Sequence, residues 1–268
     1  MGIGGDVSIQ IADSITKLGP EFSGAILVAG SHGGRYCGYL AALAGLRGVI
    51  LNDAGVGLDK AGLGSLEYLQ PLGVAAATVS NSSARIGDGA DMVERGRISH
   101  CNQVARELGC EVGQTCDEAA ECMSRGQTYT GDVPAYEESR AILKETPVRV
   151  IACDSAALVE SDDAGAIIIT GSHGGVLAGR PGYGIAAQAQ GAVFNDAGFG
   201  IDQAGIQRLS VLEQAGIPAV TVDAATARIG DARSAWESGV ISGRNALAAD
   251  RGVAIGASVP EFVEMLSS

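Results

Sequence analysis

Three short polar motifs, each with residue types that can carry out chemistry, occur twice in this chain of 268 residues. They are GSHGG (30–34 and 171–175), NDAGxGxD (52–59 and 195–202) and (S/T)ARIGD (83–88 and 226–231). Segments that only pack a core are apolar and periodic, whereas these are polar, rich in glycine and irregular. We therefore interpret the three motifs as functional loops.

The GSHGG motif places a hydroxyl and an imidazole in a glycine-rich turn after an apolar strand. This layout is similar to the nucleophile elbow of α/β-hydrolases, which would make Ser31 and Ser172 nucleophiles. Two elbows in one chain count against that family. An anion cradle is the favoured alternative, in which backbone N–H groups of Gly33 and Gly174 at a helix N-terminus bind a carboxylate or phosphate. A serine N-cap followed by packing glycines is the structural alternative.

His32 and His173 stand at the same point of the two GSHGG copies. A histidine in such a turn is well placed to titrate near neutral pH and to act as an acid or a base. Neighbours in sequence cannot easily hydrogen-bond through their side chains. A Ser–His pair would therefore need the other copy or another subunit.

The NDAGxGxD motif supplies amides and carboxylates at the end of a second strand. A carboxylate there can orient the histidine, act as a base or bind a cation, and the amide can contact a ligand. The structural alternative is strong, because Asn and Asp also cap helices and form Asx-turns. The candidates are Asn52, Asp53, Asn195 and Asp196, with Asp59 and Asp202 as weaker ones that N-capping would explain.

The (S/T)ARIGD motif supplies Arg85 and Asp88, and again Arg228 and Asp231. An arginine at a strand end can hold a carboxylate through two hydrogen bonds. We therefore include all four residues among the candidate ligand contacts. The structural alternative is an ion pair with an aspartate of the same motif or of the preceding one.

Short apolar segments precede the motifs and predict strands that are buried on both faces. Helical segments follow, so strands and helices alternate, which favours a parallel sheet with right-handed crossovers. Because ligands bind outside the carboxyl ends of parallel strands, we expect the three motifs of each copy to share one cleft. The predicted strands are 25–30, 49–51, 75–79, 166–171, 192–194 and 219–222, with 8–12 and 148–152 as additional ones, and the predicted helices are 61–72, 97–108, 204–215 and 240–251.

The spacing between copies, 143 residues for the second and third motifs, continues from Asn52 with Asn195 to Glu118 with Glu261. Such a register indicates an internal duplication. We predict an α/β fold made of two similar parallel-sheet units related by a pseudo-twofold axis. The units are predicted at 1–123 and 149–268, and 124–148, which have no counterpart, are the predicted connector.

Residues that occur in only one copy suggest which copy is chemically richer. Cys37, His100 and Cys101 have no chemical counterpart in the second copy. Duplicated enzymes often specialise one half, so we expect the first copy to carry more of the chemistry.

Composition restricts the partners of the chain. Lys plus Arg is 18 and Asp plus Glu is 31, a net charge of −13, which argues against non-specific binding to nucleic acids or anionic membranes. No apolar stretch is long enough to span a membrane and no signal peptide is visible, so we expect a cytoplasmic protein with reduced thiols. We expect neither a metal nor a cofactor. Apolar, Lys-poor helices indicate faces that need covering, which predicts a homo-oligomer.

Together these features predict an enzyme that acts on a small, polar, anionic metabolite at the carboxyl edge of the sheet. Hydrolysis of an amide or ester is the first expectation, and elimination or isomerisation is the second. His32 or His173 would be the acid or base, oriented by Asp53 or Asp196. The alternatives are a non-catalytic protein with two similar small-molecule sites, and an assembly protein whose motifs only pack.

Overall fold

The computed structural model describes residues 9–267, and its two mostly parallel sheets with helices give the chain an α/β fold. Residue contacts divide the chain into two compact units. Unit 1 comprises the chain up to Asp53, Gly62–Tyr136 and Leu177–Gly179. Unit 2 comprises Ala54–Ala61, Glu137–Val176 and the chain from Arg180. Each unit therefore includes a short segment from the part of the chain that mainly builds the other.

The sheet of unit 1 has five strands in the order β1-β2-β3-β4-β5. The first four strands are parallel, and β5 is antiparallel to β4. The strands are β1 (Ile9–Ala12), β2 (Ile26–His32), β3 (Gly48–Asn52), β4 (Ala75–Val79) and β5 (Ile98–Cys101), and the helices are α1 (Arg35–Leu43), α2 (Gly64–Leu69), α3 (Gly89–Arg95), α4 (Gln103–Glu107) and α5 (Cys116–Met123).

The sheet of unit 2 has six strands in the order β11-β10-β9-β8-β7-β6. Strands β7 to β10 are parallel, whereas β6 and β11 run antiparallel to their neighbours. The strands are β6 (Arg140–Lys144), β7 (Val150–Cys153), β8 (Ile167–His173), β9 (Gly191–Asn195), β10 (Ala219–Val222) and β11 (Ile241–Arg244), and the helices are α6 (Arg208–Gln214), α7 (Ala232–Ser238), α8 (Ala246–Asp250) and α9 (Val259–Ser267).

Apolar side chains on the central strands build the cores. In unit 1, Ile26 and Ile50 pack against Met92 of α3 and Met123 of α5. In unit 2, one face of the sheet packs on α7 and α9, and the other packs on α6. Burial of β2, β3 and β4 is nearly complete, as the apolar runs predicted. Polar residues therefore emerge where the strands end.

Two expectations fail at the sheet edges. The sheets are mixed rather than wholly parallel, and segments 97–108 and 240–251 each contain a strand before a short helix. An asparagine explains the break in each case. Asn102 Oδ1 accepts from the N–H groups of Ala76 on β4 and Ala105 on α4, at 3.1 and 2.9 Å. The residue thus ends the strand and caps the helix, and Asn245 does the same in unit 2.

The predicted helices 61–72 and 204–215 are shorter than expected. Each starts as a 3-10 turn, Leu58–Leu63 or Ile201–Ile206, that contains left-handed residues and precedes α2 or α6. No helix follows the second GSHGG motif within residues 174–190, where unit 1 has α1. That segment contains Arg180-Pro181-Gly182, and proline and glycine both disfavour a helix.

The predicted connector, 124–148, includes β6, which pairs with β7 and forms one edge of the unit 2 sheet. The predicted strand 8–12 is β1 except for residue 8, which, like the other residues of 1–8 and residue 268, lies outside the described residues. No helix within residues 9–267 combines the length and apolarity needed to cross a bilayer.

Candidate functional site

The serines of both GSHGG motifs accept backbone hydrogen bonds. Ser31 Oγ accepts from the N–H of Ile15, and Ser172 Oγ accepts from the N–H of Ala156, each at 2.9 Å. Each bond fixes a short 3-10 turn against the end of β2 or β8. Within residues 9–267 neither hydroxyl has another hydrogen-bond partner. Among the described residues, no basic side chain accepts a hydrogen bond from either predicted nucleophile.

The two histidines are held in the same way. The N–H of Gly34 donates to Nδ1 of His32, and the N–H of Gly175 donates to Nδ1 of His173, each at 3.1 Å. Because Nδ1 is an acceptor in both rings, the neutral imidazole carries its proton on Nε2. Burial lowers the pKa of His32 to about 4. His32 is therefore neutral near pH 7 and presents an N–H donor.

The predicted anion cradle is not open in this structure. The N–H of Gly33 donates to the carbonyl of Asn52, and that of Gly174 donates to the carbonyl of Asn195, each at 2.7 Å. These bonds continue the sheet, where His32 pairs with Asn52 in register. A Cβ atom at Gly33 would collide with the carbonyl oxygen of Gly62. Close backbone approach, rather than anion binding, accounts for this glycine.

The Asn-Asp pair of unit 2 holds the backbone of the loop that follows it. Asn195 Oδ1 accepts from the N–H of Ala197 at 2.9 Å. Asp196 Oδ1 accepts from the N–H groups of Gly198 and Ala224, at 2.8 and 3.0 Å. Burial raises the pKa of Asp196, although hydrogen bonds to the carboxylate partly oppose the shift. Asp196 is thus a buried carboxyl at the carboxyl end of β9.

The corresponding pair of unit 1 is also buried. Asn52 Nδ2 donates to the carbonyl of Ala84 at 3.2 Å, and Asp53 Oδ1 accepts from the N–H of Asn81 at 2.9 Å. Both side chains thereby join the end of β3 to the loop after β4. These bonds place the end of β3 beside the loop that carries the first (S/T)ARIGD motif.

Left-handed backbone is concentrated in two loops after the Asn-Asp pairs, both of which belong to unit 2. Six of the seven residues in 54–60, and six of the seven in 197–203, have positive φ. Val56 (φ 65°) lies inside a tight turn closed by a 2.7 Å bond from the N–H of Gly57 to the carbonyl of Gly55. Positive φ is rare for a β-branched residue, and such strain clusters at functional sites.

Arg228 is neutralised by carboxylates. Its Nε and Nη2 donate to Asp59 Oδ2 at 2.8 and 2.7 Å, and Nη1 lies 3.5 Å from Asp231 Oδ2. In unit 1, Arg85 forms an ion pair with Asp91. The prediction that these arginines hold a ligand carboxylate is therefore not supported by their contacts.

The last aspartates of the (S/T)ARIGD motifs cap helices. Asp88 Oδ1 accepts from the N–H of Asp91 at the start of α3, at 2.9 Å. Asp231 Oδ1 accepts from the N–H of Ser234 at the start of α7, at 2.8 Å. Their main structural contribution is to satisfy helix N–H groups that have no partner within the helix.

Sequence reasoning missed Arg208, which is buried in unit 2. Its Nε and Nη2 donate to the carbonyl of Gly175, at 3.2 and 2.7 Å, and Nη1 donates to the carbonyl of Gly184 at 2.7 Å. The guanidinium carbon lies 4.9 Å from the ring centroid of Phe194. No carboxylate pairs with Arg208 within residues 9–267. The sequence could have singled out Arg208, because the 143-residue register aligns it with Ser65 and the charged residue therefore occurs in only one copy.

A groove of about 600 Å³ in unit 2 adjoins one motif residue. Asp202, Gln203 and Glu213 line it together with Arg244. Its size is that of a small-metabolite site. Asp202, which the sequence ranked below Asp196, therefore lies beside a space that a ligand can enter.

The residues that were expected to enrich the first copy are buried or hydrogen-bonded. Cys37 and Cys101 are buried, and burial raises the pKa of the Cys101 thiol to about 11. His100 Nδ1 is hydrogen-bonded to Ser99 Oγ at 3.1 Å.

Within residues 9–267, no group of three or more His, Cys, Asp or Glu side chains is placed to hold a metal ion.

Comparison with protein-family models, curated proteins and solved structures found no match for the chain.

Proposed function

We propose that this chain is an enzyme that acts on a small, polar, anionic metabolite at the carboxyl edge of its sheets. One observation carries the proposal: His32 and His173, at corresponding strand ends, both keep the proton on Nε2 because a glycine N–H occupies Nδ1. A neutral imidazole N–H can stabilise an oxygen on which negative charge develops.

Proton transfer is the reaction class that we favour. Hydrolysis through Ser31 or Ser172 needs a base at the hydroxyl, and the contacts of both serines are with backbone N–H groups. Elimination and isomerisation need a carboxylate base and a donor to the developing oxyanion. Asp196 is the base that we assign to unit 2, because a raised pKa makes a carboxylate a stronger base. Asp53 has the same role in unit 1.

Arg208 supports the anionic character of the substrate. A buried guanidinium is costly to desolvate, and hydrogen bonds to carbonyls satisfy its donors without neutralising its charge. Three of its N–H groups donate to carbonyl oxygens, and no carboxylate of the described chain balances its charge. We therefore assign Arg208, rather than Arg228, as the arginine that attracts the anion.

Hydrogen–deuterium exchange tests the reaction class without knowledge of the product. The protein is incubated in D2O with a panel of small hydroxy, oxo, amino and dicarboxylic acids, and the loss of Cα–H signals is followed by proton NMR. We expect enzyme-dependent exchange in at least one acid. In whichever copy is catalytically active, the substitution His32→Asn or His173→Asn should reduce the rate of exchange by about 10²–10⁴-fold.

Matched variants separate the alternatives. Ser31→Ala and Ser172→Ala should retain exchange, because both hydroxyls bond to backbone N–H groups and have no role in the proposed reaction. Ligand-dependent stabilisation without exchange or any other conversion would instead identify a non-catalytic binding protein. If no panel member is bound or converted, the proposal fails and the assembly alternative stands.

We also propose that the two units arose by internal duplication. Strands β7 to β11 repeat the order and direction of β1 to β5. The bonds made by the two serines and two histidines correspond as well. An experimental structure in which the two sheets superpose strand for strand would test this origin.

The homo-oligomer remains our proposal for the assembly. Within residues 9–267 the sheet of unit 1 ends at β1, whose residues Ile9 and Ile11 are 43% and 50% exposed, whereas β6 covers the corresponding strand β7 in unit 2. We assign the open edge to β1 of a second copy, because exposed apolar edge strands pair readily. Light scattering that gives the mass of one chain, unchanged in Ile11→Lys, would refute it.

We place the protein in the cytoplasm. The six cysteines are all free thiols in the structure, which is the state expected in a reducing compartment. Fractionation of cells that express the tagged chain tests this location.

A further inference from the structure

Two thiols of unit 1 lie between the turn after α4 and helix α5, away from the candidate site. Cys110 is in the turn after α4, and Cys122 is near the end of α5. The Cys122 thiol donates to the carbonyl of Gly109 at 3.3 Å, directly beside Cys110. The Cys110 thiol in turn donates to the carbonyl of Ala119 on α5 at 3.4 Å. Each thiol is therefore anchored to the segment that carries the other, which places the pair within reach of a covalent bond.

Packing alone does not require a thiol at these positions. The 143-residue register aligns Cys110 with Val253 and Cys122 with Met265. Val253 is buried in the core of unit 2, and Met265 packs against that core. An apolar side chain therefore fills each corresponding place, and the paired thiols are a property of unit 1.

Access to the pair differs between its members. All six cysteines lie within residues 9–267, and Cys122 is the one that is half-buried rather than buried. A small oxidant can therefore reach Cys122 before it reaches Cys110. Cys116, which lies between them in sequence, is buried and donates to the carbonyl of Met92 at 3.1 Å.

We propose that Cys110 and Cys122 form an oxidative modification site that a peroxide converts into a disulfide. The site is independent of the proposed enzymatic function, because none of its residues belongs to the three motifs. Its ligand class is a small hydroperoxide, and its product is a covalent link between the turn after α4 and the end of α5.

The chemistry balances in two steps. The Cys122 sulfur attacks one oxygen of hydrogen peroxide, the O–O bond breaks, and Cys122 sulfenic acid and one water form. The Cys110 sulfur then attacks the Cys122 sulfur, and the hydroxyl leaves with the Cys110 proton as a second water. The two thiols are oxidised by two electrons in total, and the peroxide is reduced.

The second step depends on loss of the Cys110 proton. Burial, and then the nearby thiols of Cys101 and Cys122, raise the pKa of the Cys110 thiol to about 12. Only the thiolate is a good nucleophile. Disulfide formation should therefore be slow near neutral pH and should accelerate as the pH rises.

Peptide mapping identifies the bond without ambiguity. The folded full chain is treated with hydrogen peroxide, free thiols are alkylated under denaturing conditions, and the product is cleaved after glutamate without reduction. Glu107, Glu111, Glu118 and Glu121 place Cys101, Cys110, Cys116 and Cys122 in four separate peptides. We expect peptide 108–111 linked to peptide 122–137, with the loss of two hydrogen atoms.

The variants give the matched controls. Cys122→Ser and Cys110→Ser should each abolish the link, whereas Cys116→Ser should retain it, and circular dichroism verifies that each variant is folded. Closing this short loop should also raise Tm by several degrees in the oxidised wild type. A Cys101–Cys110 link, or oxidation of Cys122 to sulfinic acid with no link in the folded chain, would overturn the proposal.

Discussion

Asp59 and Arg228, 169 positions apart in sequence, form a two-bond ion pair in unit 2. The left-handed loop that carries Asp59 also donates from the N–H of Leu58 to the carbonyl of Ala224, at 2.7 Å. Backbone and side-chain bonds together thus hold residues 54–61 against the segment after β10. Both charged groups are largely exposed to water, so the backbone bond and packing contribute more of this attachment than the ion pair.

We expect Asp59→Asn to lower the free energy of unfolding by less than about 1 kcal/mol, because exposed ion pairs are screened by water and salt. Urea denaturation at low and high salt measures the effect, and the difference from wild type should shrink as salt increases. Arg228→Gln is the matched variant, and the double variant should show a small coupling energy. A loss well above this size would mean that the pair holds the loop by itself.

The protonation state of His32 gives a second prediction. Its pKa in the folded chain is about 4, below the ordinary 6.5. Between these values the unfolded chain binds more protons, so stability should fall as pH decreases from about 6.5 towards 4. Nitrogen-15 NMR should show the Nε2–H tautomer at neutral pH.

His32→Asn is the control for this prediction, because its amide oxygen can still accept the Gly34 N–H. The variant should fold and should lose the part of the acid sensitivity that His32 contributes. A His32 that titrates near its ordinary pKa would contradict the buried, neutral state on which the proposed donor role depends.

The central strands could be predicted because their signal is local. Apolar runs such as 49–51 are long enough, and bounded clearly enough, to indicate buried strands. The short strands β5 and β11 were missed because Ile98 and Ile241 begin segments that look helical by composition. Each strand ends at Asn102 or Asn245, whose side chain accepts a hydrogen bond from the neighbouring strand, 26 residues away in sequence.

In the candidate site, too, local features could be predicted from the sequence and long-range contacts could not. The order of the motifs indicated that His32 and Asn52 lie at adjacent strand ends, and the pairing of β2 with β3 places them there. The partners of Arg228 could not be predicted, since they depend on where residues 54–61 fold. The hydrogen bond from the Gly33 N–H to the carbonyl of Asn52 could not be predicted either, because glycine has no side chain that would indicate the partner of its N–H.

Glu138 gives a third prediction. Burial, and then the neighbouring carboxylate of Asp154, raise its pKa from 4.5 to about 7. The folded chain binds more protons than the unfolded chain between these values. Stability from this group should therefore be complete below about 4.5 and should be lost as pH rises through about 7.

Glu138→Gln should be more stable than wild type above pH 8 or so, by on the order of 1 kcal/mol after allowance for partial exposure. Thermal unfolding across the pH range measures the difference. Glu137→Gln, at the exposed neighbouring position, is the matched control and should change the pH profile little. Equal profiles for Glu138→Gln and wild type would show that this carboxyl titrates at its ordinary pKa.

Arg208 gives the last prediction, which separates its structural bonds from its charge. Arg208→Met removes the donors to the carbonyls of Gly175 and Gly184 and should cost on the order of 1–3 kcal/mol of unfolding free energy. If the guanidinium charge, which no carboxylate of the described residues balances, attracts the anion, small carboxylates should raise the Tm of wild type and should raise that of Arg208→Met far less. Arg180→Met is the control, because Arg180 is an exposed arginine that stacks on Tyr183 and should leave the response unchanged. An undiminished carboxylate response in Arg208→Met, provided that the variant is folded, would place the anion elsewhere and leave Arg208 as a support for the helix-free segment 174–190.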